Sequence, residues 1–189
     1  LGHVLAEQGA MSHSHFDERT GLADDKALRR YIENAEKNAG PGNHEWGFIF
    51  LDVDNFKTVN TNHSHKVGDI VLLEVAQRIK AAVGNQGIVF RRGGEEFAVV
   101  LRSGFEPTLA TAETIRRAVD ALPIDVQHEG KRVLLSVTVS LGVAACYKDG
   151  SPIQLEGVAE ARSRKAKADG KNRVEPPLSE EFLKRWKFA

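Results

Sequence analysis

Arg92-Gly93-Gly94-Glu95-Glu96-Phe97 sets two glycines and two carboxylates between apolar runs, residues 87–90 before and 97–101 after. A Gly-Gly pair between strand-like runs suits a tight turn with positive φ, and the missing Cβ lets another backbone or a ligand approach closely. The stretch therefore reads as a hairpin tip carrying negative charge, with Glu95 and Glu96 at the strand edge. Upstream, Phe48-Ile-Phe-Leu-Asp52-Val-Asp54 ends a second apolar run in carboxylates. Strand alternation puts Phe48, Phe50 and Asp52 on one side and Ile49, Leu51 and Val53 on the other, so Asp52 emerges at the end of the sheet. If that sheet joins the two ends, clustered carboxylates need a cation.

Outward from these two strands, the spacing of Ala27, Leu28, Tyr31, Ile32 and Ala35 predicts a helix from Ala23, ended by Gly40-Pro-Gly42. After a turn through Asn55, Leu72, Val75, Ala76, Ile79 and Val83 line one side of a helix that Gly84 closes. Strands are expected over 46–52, 88–92 and 96–102. Pro107 sits where a first helical turn tolerates it, and Leu109, Ala112, Ile115, Val119 and Leu122 continue a helix stopped by Pro123. Glu129-Gly130 marks a turn, and residues 133–145 alternate as one long strand with Gly142 a candidate bulge. Strand, helix, hairpin, helix, strand is the order of a split βαβ sheet. It implies an α+β fold of ferredoxin-like or polymerase-palm type, antiparallel-rich, with helices over one face.

The chain has 189 residues with 26 basic and 26 acidic side chains, so no net charge draws it to nucleic acid or to a membrane surface. One domain is expected, large enough to bury a core without metal or disulfide staples. The single cysteine, Cys146, cannot form an internal disulfide; its apolar setting favours a small buried hydrophobe over a nucleophile, and a reducing, cytoplasmic setting fits. No apolar run reaches the roughly 20 residues that span a bilayer, and the start lacks the flank and core of a signal peptide. Residues 1–15 read as a tail or linker, in which His13 and His15 are the sole hint of a metal site. Residues 176–189 read as an extension. There Ser179 caps a short helix whose Phe182, Leu183 and Trp186 share an apolar side, for packing on the domain or against a partner.

Asp52-Val-Asp-Asn-Phe-Lys57, Asn60, His65, Gly68-Asp69 and Gly93-Gly-Glu-Glu-Phe97, taken together, resemble the GGDEF domain of diguanylate cyclases in its glutamate form. Further stretches fit in order: Asp17 and Thr20-Gly-Leu22, Ser136-Val-Thr-Val-Ser-Leu-Gly142, and Ala166-Lys-Ala-Asp-Gly-Lys-Asn172. The resemblance covers residues 16–175 as a catalytic domain.

This resemblance implies that two GTP molecules condense to cyclic di-GMP with release of pyrophosphate, each GTP held by one domain of a homodimer. It makes Asp52 and Glu95 metal ligands, with the carbonyl of Val53 and Glu96 as further candidates. Hard oxygen donors of this kind suit Mg²⁺ or Mn²⁺ rather than zinc. Triphosphate binding falls to the amides of Asn55 and Phe56 at a helix start and to Lys57, Lys167 and Lys171. Asn60 and Asp69 take the guanine edge. Glu95, Lys57 and Lys167 are the catalytic candidates, Glu95 as ligand or base.

Several positions depart from the family's pattern. The product-inhibition motif, Arg-x-x-Asp, is replaced by Gly84 and Gly87, which implies that this feedback site is absent. Arg19 stands for leucine, Asp24-Asp25 for Asn-Arg, Thr61 for aspartate, Ser64 for glycine and Lys171 for arginine. Arg162-Ser-Arg164 replaces an Ala-Leu-Tyr stretch, which predicts a helix that lies differently or faces a partner. Two alternatives remain open at this level, a GGDEF-like nucleotide receptor without turnover and a cyclase with relaxed purine choice. An upstream sensory domain or partner protein is the expected source of regulation.

Overall fold

The computed structural model describes residues 15–38 and 45–177. His13, the Gly40-Pro-Gly42 stop and the helix expected around Phe182, Leu183 and Trp186 lie outside the described residues. His15 is inside them, where its Nε2 meets the Arg30 guanidinium at 2.8 Å.

A six-stranded sheet is ordered β1-β3-β4-β2-β7-β8. Its centre is β2 (Gly47–Val53), flanked antiparallel by β4 (Glu96–Leu101) and β7 (Val139–Ala145). The hairpin partner β3 (Gly87–Gly93) lies outside β4, and two-residue strands finish the edges, β1 (Ala23–Asp24) on β3 and β8 (Val174–Glu175) on β7. The α+β, split βαβ architecture stands as read. The helices, however, cover both faces rather than one.

Alternation along β2 explains the two layers. Ile49, Leu51 and Val53 join a core cluster with α2 (Phe56–His63), α3 (His65–Val83) and α4 (Phe105–Asp120). Phe48 and Phe50 join another with α1 (Asp25–Asn38) and α6 (Pro152–Ala168). Every residue of β2 and β7 is buried as a result, as expected for strands sandwiched between helices.

Three sequence expectations need correction. The long strand over 133–145 is two strands, β6 (Lys131–Leu135), which pairs only with β5 (Ile124–His128), and β7 in the main sheet. Alternation cannot register a change of sheet between apolar segments. Gly142 is no bulge: it pairs with Phe50 in regular register, and a Cβ there would stand 1.9 Å from the Ala159 carbonyl oxygen. The glycine lets the backbone of α6 lie on the sheet. Leu122 falls beyond the end of α4 and is 69% exposed.

Arg162-Ser163-Arg164 is also accommodated in place. Arg162 donates to the Val143 carbonyl at 2.7 Å and forks onto both oxygens of Asp149, at the end of α5 (Cys146–Asp149), at 2.9 and 2.8 Å. Ser163, buried, donates to the Ser140 carbonyl at 3.0 Å. Arg164 points outward to Glu160. The helix keeps its seat because each polar group that enters the interface has a partner.

Candidate functional site

The strand ends behave as the alternation requires. Asp52 pairs in register with Glu96 across β2 and β4, and the Val53 N–H donates to the Glu95 carbonyl at 3.2 Å. The turn itself is shifted from the sequence reading: Gly93 belongs to β3, and Gly94 (φ 52°) and Glu95 form the tip. A register shift between Arg91 and Gly93 is the bulge that re-aims this end. Glu95 therefore stands on the turn, and Glu96 opens β4.

Asp52 lies on the face that carries α6, which is why Lys167 reaches it, Nζ to Oδ2 at 2.6 Å. Its other oxygen, Oδ1, is buried without a hydrogen-bond partner. Burial pushes the Asp52 carboxyl up to about 6; Lys167 opposes this, and the negative charges of Glu95 and Glu96 add to it. A buried, unpartnered carboxylate oxygen is expensive unless something cationic is meant to meet it. Among the described residues no three acidic, histidine or cysteine side chains close into a metal cage.

Beside this corner opens a pocket of about 430 Å³ lined by Phe56, Lys57, Asn60, Thr61, His65 and Glu95. The cap of α2 is Asn55 in left-handed backbone (φ 57°, ψ 23°), with no side-chain capping bond. Instead its Oδ1 accepts from Lys171 Nζ at 2.5 Å. The first turn of α2 thus presents its backbone amides beside Lys57 and Lys171, a setting suited to anionic oxygens. Asn60 packs its Oδ1, buried and unpartnered, against Gly68, where a Cβ would come within 2.0 Å. Asp69 is not among the lining residues of the pocket; it faces Arg19, 3.4 Å away, in an exposed pair.

Sequence reasoning passed over the scaffold behind these groups. Asp54, 3% exposed, accepts from Thr138 Oγ1 and Ser140 Oγ at 2.7 Å each and from the Asn172 amide at 3.1 Å. Arg116 and Asp120 hold the Asn172 side chain in turn. That network fixes Lys171 and Asn172, both in left-handed backbone at φ 64° and 46°, beside the start of α2. The signal was present in the hydroxyls of Thr138, just before β7, and of Ser140, buried within it, since hydroxyls withdrawn from water need an acceptor.

Comparison with known proteins agrees with the geometry. The family described as "Diguanylate cyclase, GGDEF domain" matches residues 14–173. The protein YhcK of Bacillus subtilis, uncharacterized, is 35% identical over 176 residues, covering 91% of this chain and 48% of its own. An uncharacterized membrane protein of Staphylococcus haemolyticus, SH2145, is 33% identical, covering 84% of this chain and 45% of its own. The chain spans about half the length of these curated relatives. No helix among the described residues is long and apolar enough to cross a membrane. Among solved structures, the GGDEF domain of DgcB from Caulobacter crescentus in complex with c-di-GMP superposes with a TM-score of 0.78 at 30% identity, over 87% of this chain and 96% of that one. The diguanylate cyclase SiaD of Pseudomonas aeruginosa, in complex with its activator SiaC, gives 0.77 at 29% identity over 90% and 63%.

Proposed function

This chain belongs to the diguanylate cyclase GGDEF-domain family, and from that premise we propose that it condenses two GTP molecules into cyclic di-GMP, with a divalent cation and as a homodimer. The observation that carries the reading is the unpartnered, buried Oδ1 of Asp52, whose carboxylate feels the charge of Glu95, a residue that lines a pocket together with Lys57. Asp52, Glu95 and the Val53 carbonyl would hold Mg²⁺ or Mn²⁺, with Glu96 adjoining. The ion, when bound, supplies charge to offset the oxyanion that develops on phosphorus and eases loss of the hydroxyl proton.

The protein's own groups orient the substrate. Lys57, the amides of Asn55 and Phe56, Lys167 and Lys171 receive the triphosphate, and Asn60 with Asp69 receives the base. In each of two steps a 3′-oxygen forms a bond to an α-phosphorus, the α–β phosphoanhydride bond breaks, pyrophosphate leaves, and the hydroxyl proton departs to a base for which Glu95 is the candidate. Since one pocket holds one GTP, two domains must face each other, and dimerisation becomes the natural control point. An upstream domain or partner protein is the natural source of that control.

A relaxed purine preference is the second reading, favoured by the Arg19–Asp69 pair, which engages the carboxylate assigned to guanine. A non-catalytic receptor draws no support from residues 162–164, each of whose side chains has a partner within the domain. Incubation of the protein with Mg²⁺ and GTP, ATP or both, followed by mass analysis of the products, tests all three. Cyclic di-GMP from GTP alone supports the first reading, and a mixed or adenine dinucleotide the second. Unchanged GTP after enforced dimerisation overturns the enzyme.

A further inference from the structure

A buried arginine ties the N-terminal turn to the hairpin that carries Glu95. Arg91, on β3, has a side chain only 2% exposed and sits 5.5 Å over the Phe97 ring. One terminal nitrogen donates to Asp17 Oδ1 at 3.2 Å, the other donates to the Gly94 carbonyl, and Nε has no partner. A guanidinium this deep is stable only where its charge and donors are met, so both bonds fix its place.

Neither end of this link is loose. Asp17 also accepts from the Thr20 amide at 2.9 Å and the Thr20 hydroxyl at 2.7 Å, and its own backbone closes the turn to Gly21 and Leu22 at 2.8 Å each. Gly94 directly precedes Glu95, whose carbonyl accepts from the Val53 amide at 3.2 Å. A continuous run of bonds therefore leads from Asp17 through Arg91, Gly94 and Glu95 to the end of β2. Arg92, by contrast, points to the other face, to Asp25 and Glu156 at 3.1 and 2.8 Å, and steadies the strand rather than the turn.

We propose that Arg91 is a positioning residue for Glu95, held by the turn at residues 17–22, so that this turn sets whether Glu95 and Asp52 share a cation. The inference rests on the reading of Asp52 and Glu95 as metal ligands. It predicts that the charge of Arg91 is insufficient without its fork, because a lysine ammonium cannot span Asp17 and Gly94 together.

The test measures Mn²⁺ binding to the whole chain by electron paramagnetic resonance, alone and with 3′-deoxyGTP, which lacks the attacking hydroxyl. Metal-free melting temperatures are recorded beside it. Arg91→Lys and Asp17→Asn are expected to raise the Mn²⁺ Kd tenfold or more. Arg19→Leu, which alters the same turn but only an exposed pair, should stay within twofold for Mn²⁺ in the absence of nucleotide. If Arg91→Lys does not fold, Asp17→Asn carries the test, since its side chain still accepts from Thr20. Both variants binding Mn²⁺ within twofold of the parent, whatever their melting temperatures, overturns the proposal and leaves Arg91 as packing. A parent that binds no Mn²⁺ under either condition overturns the ligand reading, and the positioning role with it.

Discussion

Two aspartates end the same strand two residues apart, and their surroundings are opposite. Asp54 has three donors within 3.1 Å, from Thr138, Ser140 and Asn172, and spends both oxygens on holding loops together. Asp52, in register with that same Ser140, has Lys167 on one oxygen and no hydrogen-bond partner on the other. Its carboxyl is pushed up to about 6, chiefly by burial. A saturated carboxylate is architecture; the half-satisfied one is the carboxylate that the proposed reading gives to a cation.

The largest effect should come from disabling the unsaturated member. Asp52→Asn, and likewise Glu95→Gln, should lower cyclic di-GMP formation by on the order of a thousandfold, about 4 kcal/mol of lost transition-state stabilisation, with melting unimpaired. Activity within a few-fold of the parent in a product assay would break the assignment. Asp54→Asn should do the reverse. Replacing an acceptor by an amide that faces donors should cost about 2–4 kcal/mol in chemical denaturation, with activity falling mainly through the folded fraction.

A third expectation concerns pH. Because Asp52 in the folded chain has a raised carboxyl, the folded state binds more protons than the unfolded state between about pH 4 and about pH 6. Stability from this group is therefore present at the acid end and lost as pH rises through that window, by on the order of 3 kcal/mol. The Asp52→Asn protein should lack that fall, and parallel denaturation curves from the two proteins would refute it. Mg²⁺ at tenfold over its Kd should add about 1.4 kcal/mol to the parent, a rise of a few degrees in Tm, and nothing to Asp52→Asn.

The smallest effect is local. Ser64, between α2 and α3, has φ 136° and ψ 164°, a region that favours glycine, while its Oγ accepts from the Val67 amide at 3.4 Å. Ser64→Gly relieves the backbone but loses that long cap, so thermal melting should move by less than about 1 kcal/mol equivalent, towards stability. A clear loss would show that the cap outweighs the strain.

Much of this was legible in the sequence because it is periodic or contiguous. The helical stripes of α1, α3 and α4 report their buried face directly, the unbroken apolar run of β2 reports a strand covered on both sides, and the Gly-Gly-Glu-Glu stretch marks its own turn. What escaped depends on partners far along the chain. Nothing near Arg162 announces that Asp149 and the Val143 carbonyl await it, so three polar residues looked like a displaced helix. Gly142 looked like a bulge because the backbone of α6 is invisible from the strand. Strands of two residues, β1 and β8, are too short to carry any period. Within the site, ligand types were readable from composition, but the difference between Asp52 and Asp54 was not, since it depends on residues far along the chain, Thr138, Ser140 and Asn172 around one carboxylate and Lys167 beside the other.

The two-residue strands at the margins have a further consequence. Each of them offers an incoming strand only two residues of backbone to pair with, and among the described residues the longer open edges are those of the separate β5–β6 hairpin.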